Sequence, residues 1–449
     1  MRLPGTMRVN HLGHLEIGGC DTVELARQFG TPLYVLDEAL IRRQCRKYRE
    51  AFVRHGLRGE VIYAGKALLN KAVCRIIAQE GLSLDVVSGG ELYTAIAAGF
   101  PPERIYFHGN NKSEEELRQG LDCGVHRFVV DSLYELHLLN NLAAEAGKVA
   151  GVYLRITPGV EAHTHTYIRT GQRDSKFGFD LVGSVALEAT KQALALPHIN
   201  LVGFHCHIGS QIFDVESFKV ATEVMLDFAA SVWRETGFAL RELDLGGGMG
   251  IRHVASDRPL EPEQFVAALA DAVRTGVRRH GLPEPKILIE PGRSIVGEAG
   301  TTLYTVGAIK DVPGIRTYVA VDGGMYENPR VALYQAEYTA VVANRVHAPA
   351  DRVVSVAGKC CESGDMLIWD LRVPELQPGD VLAMLSTGAY TYSMAGNYNR
   401  MPRPAMVLVR EGQADLIVRR ETYADLVRYD VLPERLAAPE HLADQRAIE

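Results

Sequence analysis

The chain contains no Cys-x-x-Cys pair and no paired-cysteine framework. Its seven cysteines, Cys20, Cys45, Cys74, Cys123, Cys206, Cys360 and Cys361, are odd in number and irregularly spaced. This argues against a disulfide scaffold and suits reduced thiols in a cytoplasm. No apolar run approaches a membrane span, and the N-terminal MRLPGTMRVNHLGHLEIGG lacks the apolar core of a secretion signal. Basic residues are scattered rather than blocked and the formal net charge is -7, so the electrostatic footprint of a nucleic-acid binder is missing. Internal repeats and low-complexity linkers are absent too. The expectation is a cytoplasmic protein with no membrane and no nucleic-acid partner, acting on a small acidic or zwitterionic ligand.

What is present is a large core. With 449 residues and 47% hydrophobic content the chain divides naturally into two domains. Between residues 61 and 292, short apolar runs alternate with amphipathic helical stretches: VIYAGKA, LSLDVVS, RIYFHGN, RFVVDS, VYLRITP, LVGFHCHIG, ELDLGGG and KILIEPG. Ser113 and Glu116 stand at capping-box spacing before one of the intervening helices. Repeated strand-helix units of this kind predict an α/β fold, a (β/α)8 barrel, whose chemistry belongs at the C-terminal ends of the strands. After about residue 298 the pattern becomes β-rich alternation in TYVAVDGG, EYTAVVANR, RVVSVAGK, DVLAMLSTG and PAMVLVREG. A second, antiparallel β domain is expected there. The predicted boundaries are 38–298 for the barrel and 1–37 with 299–449 for the β domain.

The strand ends carry a consistent set of groups. Lys66 closes the first run, where burial is expected to depress its pKa and free its amine for imine formation with an aldehyde. Gly246, Gly247 and Gly248 end the seventh run and Arg293 follows the eighth, the two loops where such barrels bind phosphate. Ser210 adds a further phosphate donor. His205 and His207 stand two apart in HCHIGS, and His163 and His165 two apart in EAHTHTYIRTG. Neither pair has further ligands placed by spacing, so no metal is assigned. His207 reads better as a flat ring packed on a flat cofactor. A lysine, a phosphate cradle, a stacking imidazole and a buried carboxylate at Glu290 together describe a site for pyridoxal 5'-phosphate. A carboxylate beside the pyridine nitrogen keeps it protonated, which favours decarboxylation over racemisation.

With YAGKA, DVVSGGEL, HGNNKS, HCHIGSQ, LDLGGGMG, EPGRSIVGEAG, CCESGD and GAYTYSMAGNYN in view, the chain resembles the barrel-fold pyridoxal-phosphate decarboxylases, the family that acts on diaminopimelate, ornithine and arginine. The likeness covers residues from about 31 to 409 and is strongest to the diaminopimelate branch. It implies Lys66 as the cofactor-bonding lysine, His207 as the stacking ring, and Glu290 as the partner of the pyridine nitrogen. Ser210, Gly246, Gly247, Gly248 and Tyr390 would hold the phosphate. Arg293, Arg330 and Tyr334 would bind substrate carboxylates, and Glu362 the distal ammonium. It further implies a homodimer in which Cys361 enters the neighbouring subunit's site and supplies a proton, with Cys360 left to packing. One departure is Leu68, where many relatives have asparagine. The rival expectations are an ornithine- or arginine-type decarboxylase and a non-enzymatic pyridoxal-phosphate carrier, the latter a lone barrel with no use for a second domain.

Overall fold

The computed structural model describes residues 2–160 and 174–436. Eight parallel strands close on themselves: Gly59–Ala64, Ser83–Val86, Ile105–Phe107, Arg127–Val130, Ala150–Thr157, Ile199–His205, Glu242–Asp244 and Lys286–Ile289, the last pairing back to the first. These are the eight runs expected from the sequence. Alternation along each strand separates two cores. Ile62, Tyr106, Val129, Tyr153, Val202 and Leu288 form a small cluster inside the barrel. Their neighbours, such as Tyr63, Phe107, Phe128, Leu154 and Ile287, pack outward beneath the helices in the main core.

The helices begin where polar side chains can replace missing backbone partners. Asp37, Asn70, Ser88, Ser113 and Ser132 each accept an amide hydrogen at a helix start, and Ser113 with Glu116 completes the expected capping box. Gly203 shows how tightly the barrel wall is built: a Cβ there would lie 1.8 Å from the Glu242 carbonyl oxygen.

The second domain is a mostly antiparallel sheet around Gly300–Val312. The first half of this strand pairs with Leu33–Asp37 and Val381–Leu385; after an irregularity between Val306 and Ile309 the second half pairs with Arg316–Val321. The N-terminal strand Leu33–Asp37 therefore lies inside this sheet. Among the described residues no helix is long and apolar enough to cross a membrane.

Candidate active site

The C-terminal rim of the barrel and the second domain enclose a cavity of about 1310 Å³. Lys66, His207, Ser210, Glu290 and Arg293 reach it from the barrel, and Arg330, Tyr334 and Tyr390 from the second domain. His163 and His165 lie outside the described residues. His205 and His207 both line the cavity, but their roles differ: His205 Nε2 turns to the carboxylate of Glu290 at 3.3 Å, whereas His207 faces the Gly247 amide.

Lys66 sits in a tight turn, Gly65–Ala67, just beyond the first barrel strand. Its Nζ lies 3.5 Å from Asp85 Oδ2. The expectation of a depressed pKa is overturned here. Burial does push the lysine down, but the charges of Asp85 and Glu290 more than offset it and hold the amine above the ordinary lysine range. The lysine is thus stored as an ammonium, with Asp85 as its nearest counter-charge.

His207 is half-buried at the cavity wall, and its Nδ1 accepts the Gly247 N–H at 3.3 Å. Burial first, then the charge of Lys66, holds its pKa well below the usual imidazole range, so the ring is neutral. Gly246 has φ +67°, and a Cβ on it would come within 2.9 Å of His207 Nδ1, so glycine is what lets this loop lie against the ring. The three glycines do not form the open cradle that the sequence suggested. The Gly246 N–H is taken by Asp244 at 2.9 Å and that of Gly247 by His207, which leaves Gly248 as the amide without a described partner.

Two arginines dominate the other side. Arg293 donates to Ser210 Oγ at 3.0 Å and lies 4.7 Å over the Tyr390 ring. Arg330 donates to the Tyr338 hydroxyl at 2.6 Å. Both are 5% exposed, and neither is in an ion pair among the described residues. Arg293 Nε and Nη1 and Arg330 Nε have no partner. Burial, reinforced by Arg330, pushes the Arg293 guanidinium down to about 10. Buried cations with idle donors around a cavity create a demand for anionic ligands.

Of the groups behind Glu290, sequence reasoning singled out His205 alone, as half of a histidine pair, and missed the rest. His108 Nε2 lies 2.7 Å from Glu290 Oε1, and His205 Nε2 3.3 Å from Glu290 Oε2. Asp244 completes a buried group whose polar atoms all lie within 4.8 Å of one another. His108, Asp244 and Asp85 all stood inside quoted motifs at strand ends, and the rule that selected Lys66 and Glu290 would have selected them too. The loop carrying His108 is pinned by Lys112, whose buried ammonium donates to Gly109 O at 2.7 Å and Val129 O at 2.9 Å and pairs with Glu135 at 2.8 Å. Glu135→Leu strands that ammonium and should cost roughly 3–5 kcal/mol in urea unfolding. Lys112→Met in the same chain should recover much of the loss. A single-variant cost under about 1 kcal/mol would mean that the pair does not hold this loop.

Cys361 and Glu362 are not brought to this cavity. Both are exposed, on a loop where the Cys361 N–H donates to Asn399 Oδ1 at 2.8 Å. Cys360 is buried, and burial followed by the Asp365 charge pushes its thiol up to about 12. Leu68 is also buried in the main core, where a polar residue would need a partner.

Closed barrel, appended sheet and rim site together define a pyridoxal-dependent decarboxylase; the pyridoxal-binding domain of that class matches residues 38–297. The chain belongs to the diaminopimelate decarboxylase family. It is 56% identical to the diaminopimelate decarboxylase of Bacillus subtilis (strain 168), covering 96% of this chain and 98% of that one. Identity to the Halalkalibacterium halodurans enzyme of the same name is 54%, over 95% and 97%. A crystal structure of diaminopimelate decarboxylase from M. jannaschii in co-complex with L-lysine superposes with a TM-score of 0.90 at 39% identity, covering 96% of this chain and 99% of that one.

Proposed function

We infer that the protein catalyses the pyridoxal-phosphate-dependent decarboxylation of meso-2,6-diaminopimelate to L-lysine and carbon dioxide, the last step of lysine biosynthesis. The observation that carries this reading is the pair of buried, unpaired arginines facing the same cavity as Lys66 and Glu290. A substrate with a carboxylate at each end answers that demand, whereas ornithine brings only one. A carrier that performs no chemistry has no use for a second domain supplying Arg330 and Tyr390.

Pyridoxal phosphate, when bound, supplies the electron sink for the bonding pair released with carbon dioxide. Lys66 would hold the cofactor's aldehyde carbon, and Asp85 balances the charge of that lysine. His207 would offer it a flat neutral face. Glu290 would keep a proton at the pyridine nitrogen. Arg293 and Ser210, with the Gly248 amide and Tyr390, would hold the phosphate end; Gly246 and Gly247 act by shaping the loop. Arg293 lines the same cavity as Arg330 and Tyr334 and would share with them in seating the substrate carboxylates. Glu362 receives the distal ammonium, and Cys361 delivers the proton that replaces carbon dioxide, each from the neighbouring subunit of a homodimer. The domain boundaries that accompany this reading are 38–298 and 1–37 with 299–449. Seven free cysteines fit a cytoplasmic enzyme.

Purified protein supplied with pyridoxal phosphate should release carbon dioxide from meso-diaminopimelate and accumulate lysine, with ornithine and arginine far poorer substrates. Preference for ornithine would transfer the protein to the neighbouring branch. Arg330→Ala removes a charge-assisted contact and should lower kcat/KM by ~2–4 kcal/mol, roughly 30- to 1000-fold. Unchanged kinetics in that variant would remove Arg330 from the site.

A further inference from the structure

The groups behind Glu290 come from four strand ends. His108 follows Ile105–Phe107, His205 closes Ile199–His205, Asp244 closes Glu242–Asp244, and Glu290 follows Lys286–Ile289. None is more than 3% exposed. Each carboxylate oxygen of Glu290 faces one imidazole nitrogen, at 2.7 and 3.3 Å. The two rings stand edge to face, 4.9 Å between centroids. Asp244 Oδ1 is tied to the Gly246 N–H; Asp244 Oδ2 is a buried atom with no hydrogen bond in the described structure. The close approach of His108 Nε2 to Glu290 Oε1 is an ion-pair contact that lacks hydrogen-bond alignment, whereas that of His205 has it.

We propose that His108, His205 and a protonated Asp244 are positioning residues that keep Glu290 a single, fixed anion aimed at the pyridine nitrogen. This rests on the reading of Glu290 as that nitrogen's partner.

Two carboxylates this close and this dry cannot both stay ionised without a cation. The surroundings decide which keeps the charge. The imidazole nitrogens converge on Glu290, whereas a backbone amide is the bonded partner of Asp244. Burial, then the Glu290 charge, holds Asp244 well above the carboxylate range. Burial acts in the same upward direction on Glu290, but the two imidazoles overcome it and hold Glu290 well below that range. Burial also lowers His205 to about 3, so its ring is neutral and acts as an N–H donor at Nε2. The network thus places one negative charge where a ring nitrogen needs a counter-charge and neutralises the other carboxylate with a proton. The same four groups have the composition of a metal site, but both Glu290 oxygens are already faced by imidazole nitrogens, and a cation would have to displace them.

The test uses holoenzyme reconstituted with pyridoxal phosphate labelled with 15N at the ring, whose resonance separates protonated from unprotonated nitrogen. Wild type should show the protonated ring. Asp244→Asn, a neutral isostere, should show it too. The His108→Leu/His205→Leu double variant should move the resonance toward the unprotonated form and weaken cofactor binding about tenfold. Its glutamine counterpart, His108→Gln/His205→Gln, should restore part of both because the amide N–H groups can still donate. If Glu290→Gln leaves the resonance unchanged, the underlying assignment of Glu290 fails. If Glu290→Gln moves it while folded histidine variants of either kind do not, the network proposal alone fails. Stoichiometric zinc binding by the wild type that is lost in the histidine variants would overturn it in favour of a metal.

Discussion

Lys66→Ala should reduce decarboxylation by about 10³-fold or more, because on the proposed reading it removes the group that bonds the cofactor, together with the charge that balances Asp85. Borohydride reduction of the wild type should fix pyridoxal phosphate to the chain at Lys66, and digestion with mass spectrometry should find no lysine adduct in the variant's site. Phosphate contacts from Ser210 and Arg293 should still retain cofactor weakly. The fold should survive, since Lys66 lies on a rim turn and its ammonium touches one carboxylate at 3.5 Å. A reducible pyridoxal-phosphate adduct on a lysine other than Lys66 in the wild type would show that the assignment is wrong.

Restored activity on mixing two inactive variants is the second large effect. If Cys361 supplies its proton across a dimer interface, Cys361→Ala should lose about 10²–10⁴-fold, as removal of a general acid does. Each site would take Lys66 from one chain and Cys361 from the other. A heterodimer of Lys66→Ala and Cys361→Ala chains therefore has one site with both lesions and one with neither. With random exchange half the dimers are mixed, so about a quarter of wild-type activity should return. Cys360→Ala should stay close to wild type, because the buried thiol, pushed up to about 12, gives up its proton reluctantly and alanine replaces it with little loss of volume. Proven exchange without recovery would sink the shared site. The exposed position of Cys361, off the cavity of its own chain, is what makes the experiment decisive.

The barrel was legible because eight short apolar runs alternating with amphipathic helical stretches leave few alternatives. The second domain was read less completely. Gly300–Val312, its longest strand, shows no clean alternation in GTTLYTVGAIKDV because it changes partners at an irregularity and is buried differently on each side of it. Met366–Val373 was hidden behind the cysteine loop. At the site, single groups at strand ends could be named from type and position. Their charge states could not. The burial that was expected to lower Lys66 is outweighed by the charges of Asp85 and Glu290, which lie 19 and 224 residues away in sequence. Likewise the glycine run announced open amides, but Asp244 and His207 occupy two of them only after folding.

The backbone of Tyr390 donates to the carbonyl of Ala67 at 2.8 Å, and Ser393 Oγ donates to the same oxygen at 3.2 Å. The second domain thus grips the residue next to Lys66 itself. At the domain junction Gly388 N–H also binds Gly297 O at 3.0 Å, where a Cβ on Gly388 would come within 1.8 Å of the Val296 carbonyl. For the two domains to open like jaws around each substrate, these bonds at the seam would have to break. A barrel cut away from its sheet would lose the clamp that shapes its own lysine turn.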